Sequence, residues 1–331
     1  MKFVKEKYIK LDILQTQKYI KLIKDRFERE LAKELKLVRV SAPIFLTRQS
    51  GLQDDLSGVE RPVKFDIKKD GTELEIVQSL AKWKRVALKR YKIEMHKGLY
   101  TDMTAIRRDD KMDQTHSLYV DQWDWEKVID RKDRKVDYLK QTVRHIVKAI
   151  STTAKALAKQ GFVAQEICED VHFITAEELL QRYPDLDAKA REDAIAIEFK
   201  TVFIIGIGDK LSHGMPHDDR APDYDDWTLD GDLMFYHEVL GRALELSSMG
   251  IRVDKKAMLE QIEKSGKLER KDFEYHRMII AEELPLTIGG GIGQSRLCQL
   301  LLGRAHIGEV QSSYWDAETI KECTEAGIEL L

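Results

Sequence analysis

Apolar residues at Ile20, Ile23, Phe27, Leu31 and Leu35 recur at the spacing of one helical face, which predicts a long amphipathic helix over residues 11–36. An extended segment follows over 37–46. Its Pro43 lacks the N–H that a central strand needs, so only an edge or the end of a strand suits it. Residues 63–67 and 74–77 flank Asp70-Gly71, a strong turn signal, and predict a hairpin. Residues 79–91 read as a helix, and 99–106 and 117–123 as a second extended pair joined by the charged stretch 107–114. Val136, Leu139, Val143, Ile146, Ile150, Ala154 and Leu157 mark another long helix, and Thr175 with Glu178 forms a capping box that opens a further one. Beyond the apolar run 202–207 come an acidic loop, strands near 232–236 and 243–248, and a glycine-rich turn leading into a helix near Gly293. Hairpins join most of these strands, so the expected class is α+β: an antiparallel sheet with helices packed around it.

Composition narrows the function. A chain of 331 residues with 43% hydrophobic content can bury a large core, and the lack of linkers, low-complexity tracts and repeats predicts a single domain over 1–331. Basic and acidic residues nearly balance, 55 against 58, so there is no basic surplus for nucleic acid or a membrane surface. The basic start, residues 1–10, is not followed by an apolar stretch, and the run 202–207 is too short to span a bilayer. A cytoplasmic protein without a membrane or nucleic-acid partner is expected. Cys168, Cys298 and Cys323 are odd in number and widely spaced, which suits reduced packing residues. His213 and His217 have the spacing of a helical metal pair, but Gly214 and Pro216 break the helix such a pair needs.

Three strings carry candidate chemistry. Gly291-x-Gly293-x-x-Arg296 fits neither the dinucleotide nor the P-loop fingerprint. Its glycines let backbone approach a ligand, and Arg296 in the first helical turn can stack on a purine and meet phosphate; alone, the string also fits a tight turn with a surface arginine. In residues 118–124 the strand period places Leu118, Val120, Gln122 and Asp124 on one face, an apolar patch running into an amide and a carboxylate. Arg107 shares a face with Met103 and Ala105 on the preceding strand. An edge hairpin with ordinary charges is the plain alternative, and Asp121 and Trp125 on the other face are assigned to it. Asp232 and Glu245 lie on neighbouring extended segments, where two carboxylates can hold magnesium. The acids between His217 and Asp232 are expected mostly in solvent.

Together these strings resemble the catalytic core of class II aminoacyl-tRNA synthetases. The long helix and the strand with Pro43 resemble the first motif, a dimer element; Arg107 and its return strand the second; Gly291 to Arg296 the third. Two residues after Arg107, where the second motif has glutamate, stands Asp109, with Asp110 beside it. The resemblance is closer to one offshoot, the ammonia-dependent asparagine synthetases. It is carried by Leu52-Gln-Asp-Asp-Leu-Ser-Gly58, Ser79-Leu-Ala-Lys-Trp-Lys-Arg85, Asp121-Gln-Trp-Asp-Trp-Glu126, Tyr183-Pro-Asp-Leu-Asp187, Ala221-Pro-Asp-Tyr-Asp-Asp-Trp227, Leu244-Glu-Leu-Ser-Ser-Met-Gly-Ile-Arg252 and residues 287–296.

That resemblance implies an enzyme that uses ATP and Mg²⁺ to join aspartate and ammonia. Arg107 and Arg296 would bind ATP, with Leu118, Val120, Leu246 and Ser247 also against the nucleotide, and Asp232 and Glu245 would hold magnesium. Lys84 and Arg252 would bind a substrate carboxylate. Ser79, Gln122, Asp124 and Ser248 would orient aspartate, and Asp54 and Asp225 would lie near the reacting end. A homodimer is implied by the first motif. An aspartyl- or asparaginyl-tRNA synthetase is the nearest rival, set aside because the core-like helix begins by Leu11 and the charge balance offers no tRNA footprint. A catalytically silent aspartate or nucleotide sensor is the other, set aside because the proposed ATP, magnesium and substrate residues are all present.

Overall fold

A computed structural model describes residues 1–57, 59–162 and 165–331; Gly58, which closes the 52–58 string, lies outside the described residues. Helix α1 (Ile13–Leu35) starts where the Asp12 carboxylate accepts the Gln15 N–H, and stops at Lys36 in the left-handed conformation, φ 60°. The expected extended segment is split by Pro43 into β1 (Leu37–Arg39) and β2 (Phe45–Leu46), which belong to different sheets. β2 joins the hairpin β3 (Lys64–Asp66) and β4 (Glu73–Ile76) in a small three-stranded sheet. Then come α2 (Ala81–Arg90), β5 (Gly98–Ile106), β6 (Tyr119–Val128) and the second long helix α3 (Val136–Ala158). β7 (His172–Thr175), α4 (Ala176–Arg182, opened by the Thr175/Glu178 capping box), α5 (Ala188–Phe199) and β8 (Thr201–Ile205) form a parallel crossover.

The remaining strands are longer than their sequence pattern suggests: β9 (Asp225–His237) and β10 (Arg242–Arg252). After α6 (Lys255–Lys264) and α7 (Glu274–Ile280), the glycine-rich segment is not a turn but a strand, β11 (Thr287–Gly293), continuous with α8 (Gln294–Leu302); α9 (Ala317–Glu325) follows. The large sheet has eight strands in the order β1-β5-β6-β11-β10-β9-β8-β7, antiparallel except at the β1–β5 and β7–β8 pairs. β6 is therefore central, not part of an edge hairpin.

The sheet's two faces do different work. Phe27 of α1, Val143 and Ile146 of α3 and Leu297 of α8 pack with Trp123, Trp125, Met249, Ile288 and Ile292 in one apolar core. The alternate residues of the same strands face away from that core, which is how Gln122, Asp124 and Glu126 come to share a face. One irregularity matters. The β9–β10 register runs Glu245↔Met234 and then Ser247↔Leu233, so Leu246 is an extra residue. Glu245 and Ser248, three apart, would otherwise point to opposite faces; the bulge lets both reach the cavity described below.

Asp121 also has a structural task. One oxygen accepts the Ser295 N–H at 3.0 Å, capping α8, and the other pairs with Lys24 of α1 at 2.9 Å. Its carboxylate holds the helix that carries Arg296 against the sheet, which replaces its expected reading as an ordinary surface charge.

Candidate active site

A cavity of about 600 Å³ opens on the face of the sheet opposite the α1–α3 core. Residues 54, 56, 57 and 60, the start of α2, the β5–β6 connection, the loop before β9, and strands β6, β10 and β11 contribute to its walls. The structure brings together Asp54, Ser79, Lys84, Arg107, Val120, Gln122, Asp124, Asp225, Glu245, Leu246, Ser248, Arg252 and Arg296 around this one space. Leu118 and Ser247 do not line it: Leu118 sits just before β6, where its carbonyl accepts the Arg107 N–H, and Ser247 is buried beside the bulge. Asp232 is buried against Arg220, which does line the cavity.

The floor is a buried charge lattice. Glu126 accepts from Arg252 Nε at 3.1 Å and Nη2 at 2.8 Å, and Arg252 Nη1 donates to Asp225. Burial would raise the Glu126 carboxyl, but Arg252 and Lys84 together draw it below its usual range. Beside it the Lys84 ammonium donates to Asp124, to the Trp125 carbonyl at 3.0 Å and to the Gly290 carbonyl at 3.2 Å. An ammonium has three N–H bonds, so Lys84 has none left for a substrate carboxylate. Arg252 has five and uses three here, so it retains two. Both residues expected to meet a substrate carboxylate line the cavity; Arg252 keeps spare N–H bonds there, and Lys84 holds Asp124 in place.

The glycine run follows from this lattice. A Cβ on Gly289 would stand 1.9 Å from Glu126 Oε2 and 2.7 Å from Arg252 Nη2, and one on Gly291 would stand 2.2 Å from Gln122 Oε1. The glycines therefore make room for neighbouring side chains as well as for a ligand.

Three arginines, Arg107, Arg220 and Arg296, line the cavity. Arg107 donates through Nε to the Gln78 carbonyl at 3.3 Å, and Arg296 donates to the Glu245 carbonyl at 2.9 Å with the Glu245 carboxylate 3.4 Å away. Arg220 pairs with Asp232. Asp109 is turned to Arg61 (Nε to Oδ2 3.0 Å), while Asp110 lines the cavity, so the second-motif acid facing the site is Asp110. Asp232 fits a cation-binding role. Its Oδ1 is buried without a partner, and burial, with Glu245 adding to it, pushes its carboxyl up, while Glu245 supplies a second hard oxygen donor across the strand pair. No group of three or more His, Cys, Asp or Glu side chains placed to hold a metal occurs among the described residues. His213 and His217 form no such pair; His217 is buried against Glu192 at 3.2 Å.

Acids line the same cavity. Asp54 is buried; its Oδ1 accepts the Leu56 N–H at 2.9 Å and its Oδ2 has no partner. Burial, with the charges of Asp54 and Asp225 adding to it, holds the Tyr224 phenol well above its usual range, and the Arg252 guanidinium lies 5.7 Å from that ring. The acidic stretch is largely buried, contrary to its expected solvation. Asp223, Asp225, Asp226 and Asp230 are all below one-tenth exposed, and only Asp218 and Asp219 of that run stay in solvent. Burial is possible because cations or N–H groups meet them, as Arg134 meets Asp226 at 2.7 Å and the Ile207 N–H meets Asp230 at 3.1 Å.

Comparison with known proteins decides the family. The sequence model for aspartate-ammonia ligase matches residues 14–327. The chain belongs to the aspartate–ammonia ligase family. It is 54% identical to the aspartate–ammonia ligase of Clostridium tetani (strain Massachusetts / E88) over 329 residues, 99% of this chain and 96% of that one. It is 53% identical to the ligase of Lactobacillus johnsonii (strain CNCM I-12250 / La1 / NCC 533) over 331 residues, covering 99% of this chain and 98% of that relative. Among solved structures it resembles asparaginyl-tRNA synthetase from Pyrococcus horikoshii, in a crystal with asparaginyl-adenylate. The TM-score is 0.65 at 17% identity, over 90% of this chain and 68% of that one, and this likeness places the ligase in the class II aminoacyl-tRNA synthetase fold. Glu126, Tyr224 and Arg220 were missed as site residues. Glu126 was within reach, because it continues the Gln122–Asp124 face of β6; no local pattern marks Arg220.

Replacing Gly289 by alanine tests the lattice. The added methyl group must displace Glu126 or Arg252, and breaking a buried pair costs about 3–5 kcal/mol. Denaturant midpoints should show a loss of that order for Gly289→Ala; a midpoint equal to wild type would mean that the pair tolerates displacement.

Proposed function

We propose that this ligase makes asparagine from aspartate, ammonia and ATP by way of a β-aspartyl adenylate, with residues 1–331 acting as a single catalytic domain in the cytoplasm. The observation that carries the reading is one cavity that gathers Arg107, Arg220 and Arg296, the acids Asp54 and Asp225, and Arg252 with its spare N–H bonds. An aspartate whose α-carboxylate lies on Arg252, and whose α-amino group lies near Asp124 and Gln122, can direct its side-chain carboxylate toward an ATP α-phosphate held by Arg107.

The side-chain oxygen attacks the α-phosphorus and pyrophosphate leaves. Arg107 is suited to offset the charge that builds on the phosphoryl oxygens, and Arg296 to holding the nucleotide. Asp232 and Glu245 would hold Mg²⁺, which supplies charge neutralisation on the phosphates. The acyl carbon then carries AMP, a good leaving group, in place of oxide. Ammonia attacks it, a tetrahedral oxyanion forms and collapses, and AMP departs. At neutral pH the nitrogen arrives mostly as ammonium, so a carboxylate must bind a cation and then take its proton. Asp54 Oδ2, buried and unpartnered, suits that task, with Asp225 engaged by Arg252 beside it.

Asp54→Asn keeps the shape and removes the charge. Aspartate-dependent exchange of labelled pyrophosphate into ATP should survive, while asparagine formation falls by about 10²–10⁴, the usual worth of a positioned base. Loss of both together would place Asp54 on the α-amino group instead, and normal synthesis would pass the role to Asp225. The wild-type assay, run without tRNA, also separates this reading from a tRNA synthetase: AMP and asparagine should appear from aspartate, ATP, magnesium and ammonium alone.

For the metal, Asp232→Asn should raise the magnesium concentration at half-maximal exchange. An unchanged magnesium dependence would remove Asp232 from the site.

We also propose a homodimer through α1, β1 and the small sheet. Val38, Ile44, Phe45, Phe65 and Ile67 are exposed there, and the Phe45 and Phe65 rings stack edge to face with centroids 5.5 Å apart. Such apolar surface favours burial against a partner. Light scattering at micromolar concentration should give twice the chain mass of 38.4 kDa, and a fully active monomer would overturn this.

A further inference from the structure

Outside the cavity lining, next to the Asp54 loop, lies a second cluster. One oxygen of Asp223 accepts from Lys82 Nζ at 2.8 Å, Arg270 Nη1 at 2.6 Å and His276 Nε2 at 2.9 Å. These donors come from α2, from the turn preceding α7 and from α7 itself. Two of them continue to the loop that carries Asp54. Lys82 Nζ also donates to the Gln53 carbonyl at 3.0 Å, and Arg270 Nη2 to Asp55 at 2.9 Å. The residues on both sides of Asp54 are thus hung from cations that Asp223 anchors. Asp223 itself directly precedes Tyr224 and Asp225, the facing wall.

Asp223 is fully buried, and none of Asp223, Lys82, Arg270 and His276 lines the cavity. Burial alone would raise the Asp223 carboxyl, but Lys82, His276 and Arg270 together hold it well below the usual range, so it stays charged. The tethering matters because the Asp54 loop has little regular structure of its own, and Leu56 adopts a left-handed backbone, φ 51°.

We propose that Asp223 is a positioning residue for the ammonia-dependent half of the reaction: through Lys82 and Arg270 it sets where Asp54 stands relative to Asp225. This rests on the reading that Asp54 receives the ammonium. Adenylate formation uses Arg107, Arg296 and Arg252, none of which hydrogen-bonds to Asp223, Lys82, Arg270 or His276; the nearest link runs through Gln78, which donates to the Asp54 carbonyl and accepts from Arg107. Loosening the cluster therefore separates the two half-reactions.

The test uses Asp223→Asn and, because removing a fully buried charge can prevent folding, Arg270→Lys, which keeps the charge but loses the fork that spans Asp223 and Asp55. Aspartate-dependent pyrophosphate exchange should stay within about threefold of wild type. Asparagine formation should fall by about 10–10²-fold with a higher KM for ammonium, as expected when a catalytic group is displaced by about an ångström. If Asp223→Asn does not fold, Arg270→Lys alone decides. A folded variant in which both half-reactions fall in parallel, or in which neither changes, overturns the proposal. Asp54→Asn serves as the control. If it loses amidation selectively while Arg270→Lys behaves as wild type, the reading of Asp54 stands and the role of Asp223 falls. If Asp54→Asn makes asparagine normally, the Asp54 reading fails and this inference with it.

Discussion

The buried pair of Glu126 and Arg252 is the contact around which the site is arranged. Both side chains are essentially fully buried, so their charges are stable only together, and their geometry leaves little latitude. Glu126 requires the missing Cβ of Gly289 and, with Asp124, opposes the burial that lowers the Lys84 ammonium below its usual range; Arg252 in turn ties down Asp225. With three of its N–H bonds so committed, Arg252 retains two and lines the cavity, and a guanidinium held in this way needs no reorganisation to meet an anion.

The sheet supports this lattice. Its core face is filled by aromatic and aliphatic side chains from β6, β10 and β11 against α1, α3 and α8, so the backbone under the site is rigid. The bulge at Leu246 then lets Glu245 and Ser248 reach the cavity on the same strand. Asp121 performs the matching service for Arg296, because it caps α8 and anchors it to Lys24 of α1. Residues far apart in the chain, cations and acids alike, are thereby held around one space.

The buried acids of residues 223–230 show how such a charge density is tolerated. Each is met by a guanidinium, an ammonium, an imidazole or a backbone N–H, and the partners come from distant elements: Arg134 before α3, Arg252 of β10, Arg270 and His276 around α7. This interior is costly in desolvation, and its return is precision of placement. Asp54 Oδ2, Asp223 Oδ1, Asp230 Oδ2 and Asp232 Oδ1 are buried without hydrogen-bond partners among the described residues, and of these acids only Asp54 lines the cavity.

Much of this was legible in the chain by itself. The helical period of Ile20 to Leu35, the capping box at Thr175 and the Asp70-Gly71 turn are local signals, set by the steric repeat of a helix or strand, and each led to the right element. The motif strings likewise marked Arg107, Gln122, Asp124, Arg252 and Arg296, because a fixed spacing on a known element fixes the side-chain direction. What the chain could not reveal was who meets whom. That the glycine run is a strand under Glu126, that Lys84 is saturated, that Asp121 caps a helix and that four acids of one loop are buried depends on strand register, a bulge and cations from other elements, such as Lys82, 141 residues from Asp223. Those are long-range pairings decided by burial and packing, and only the folded chain brings them into contact.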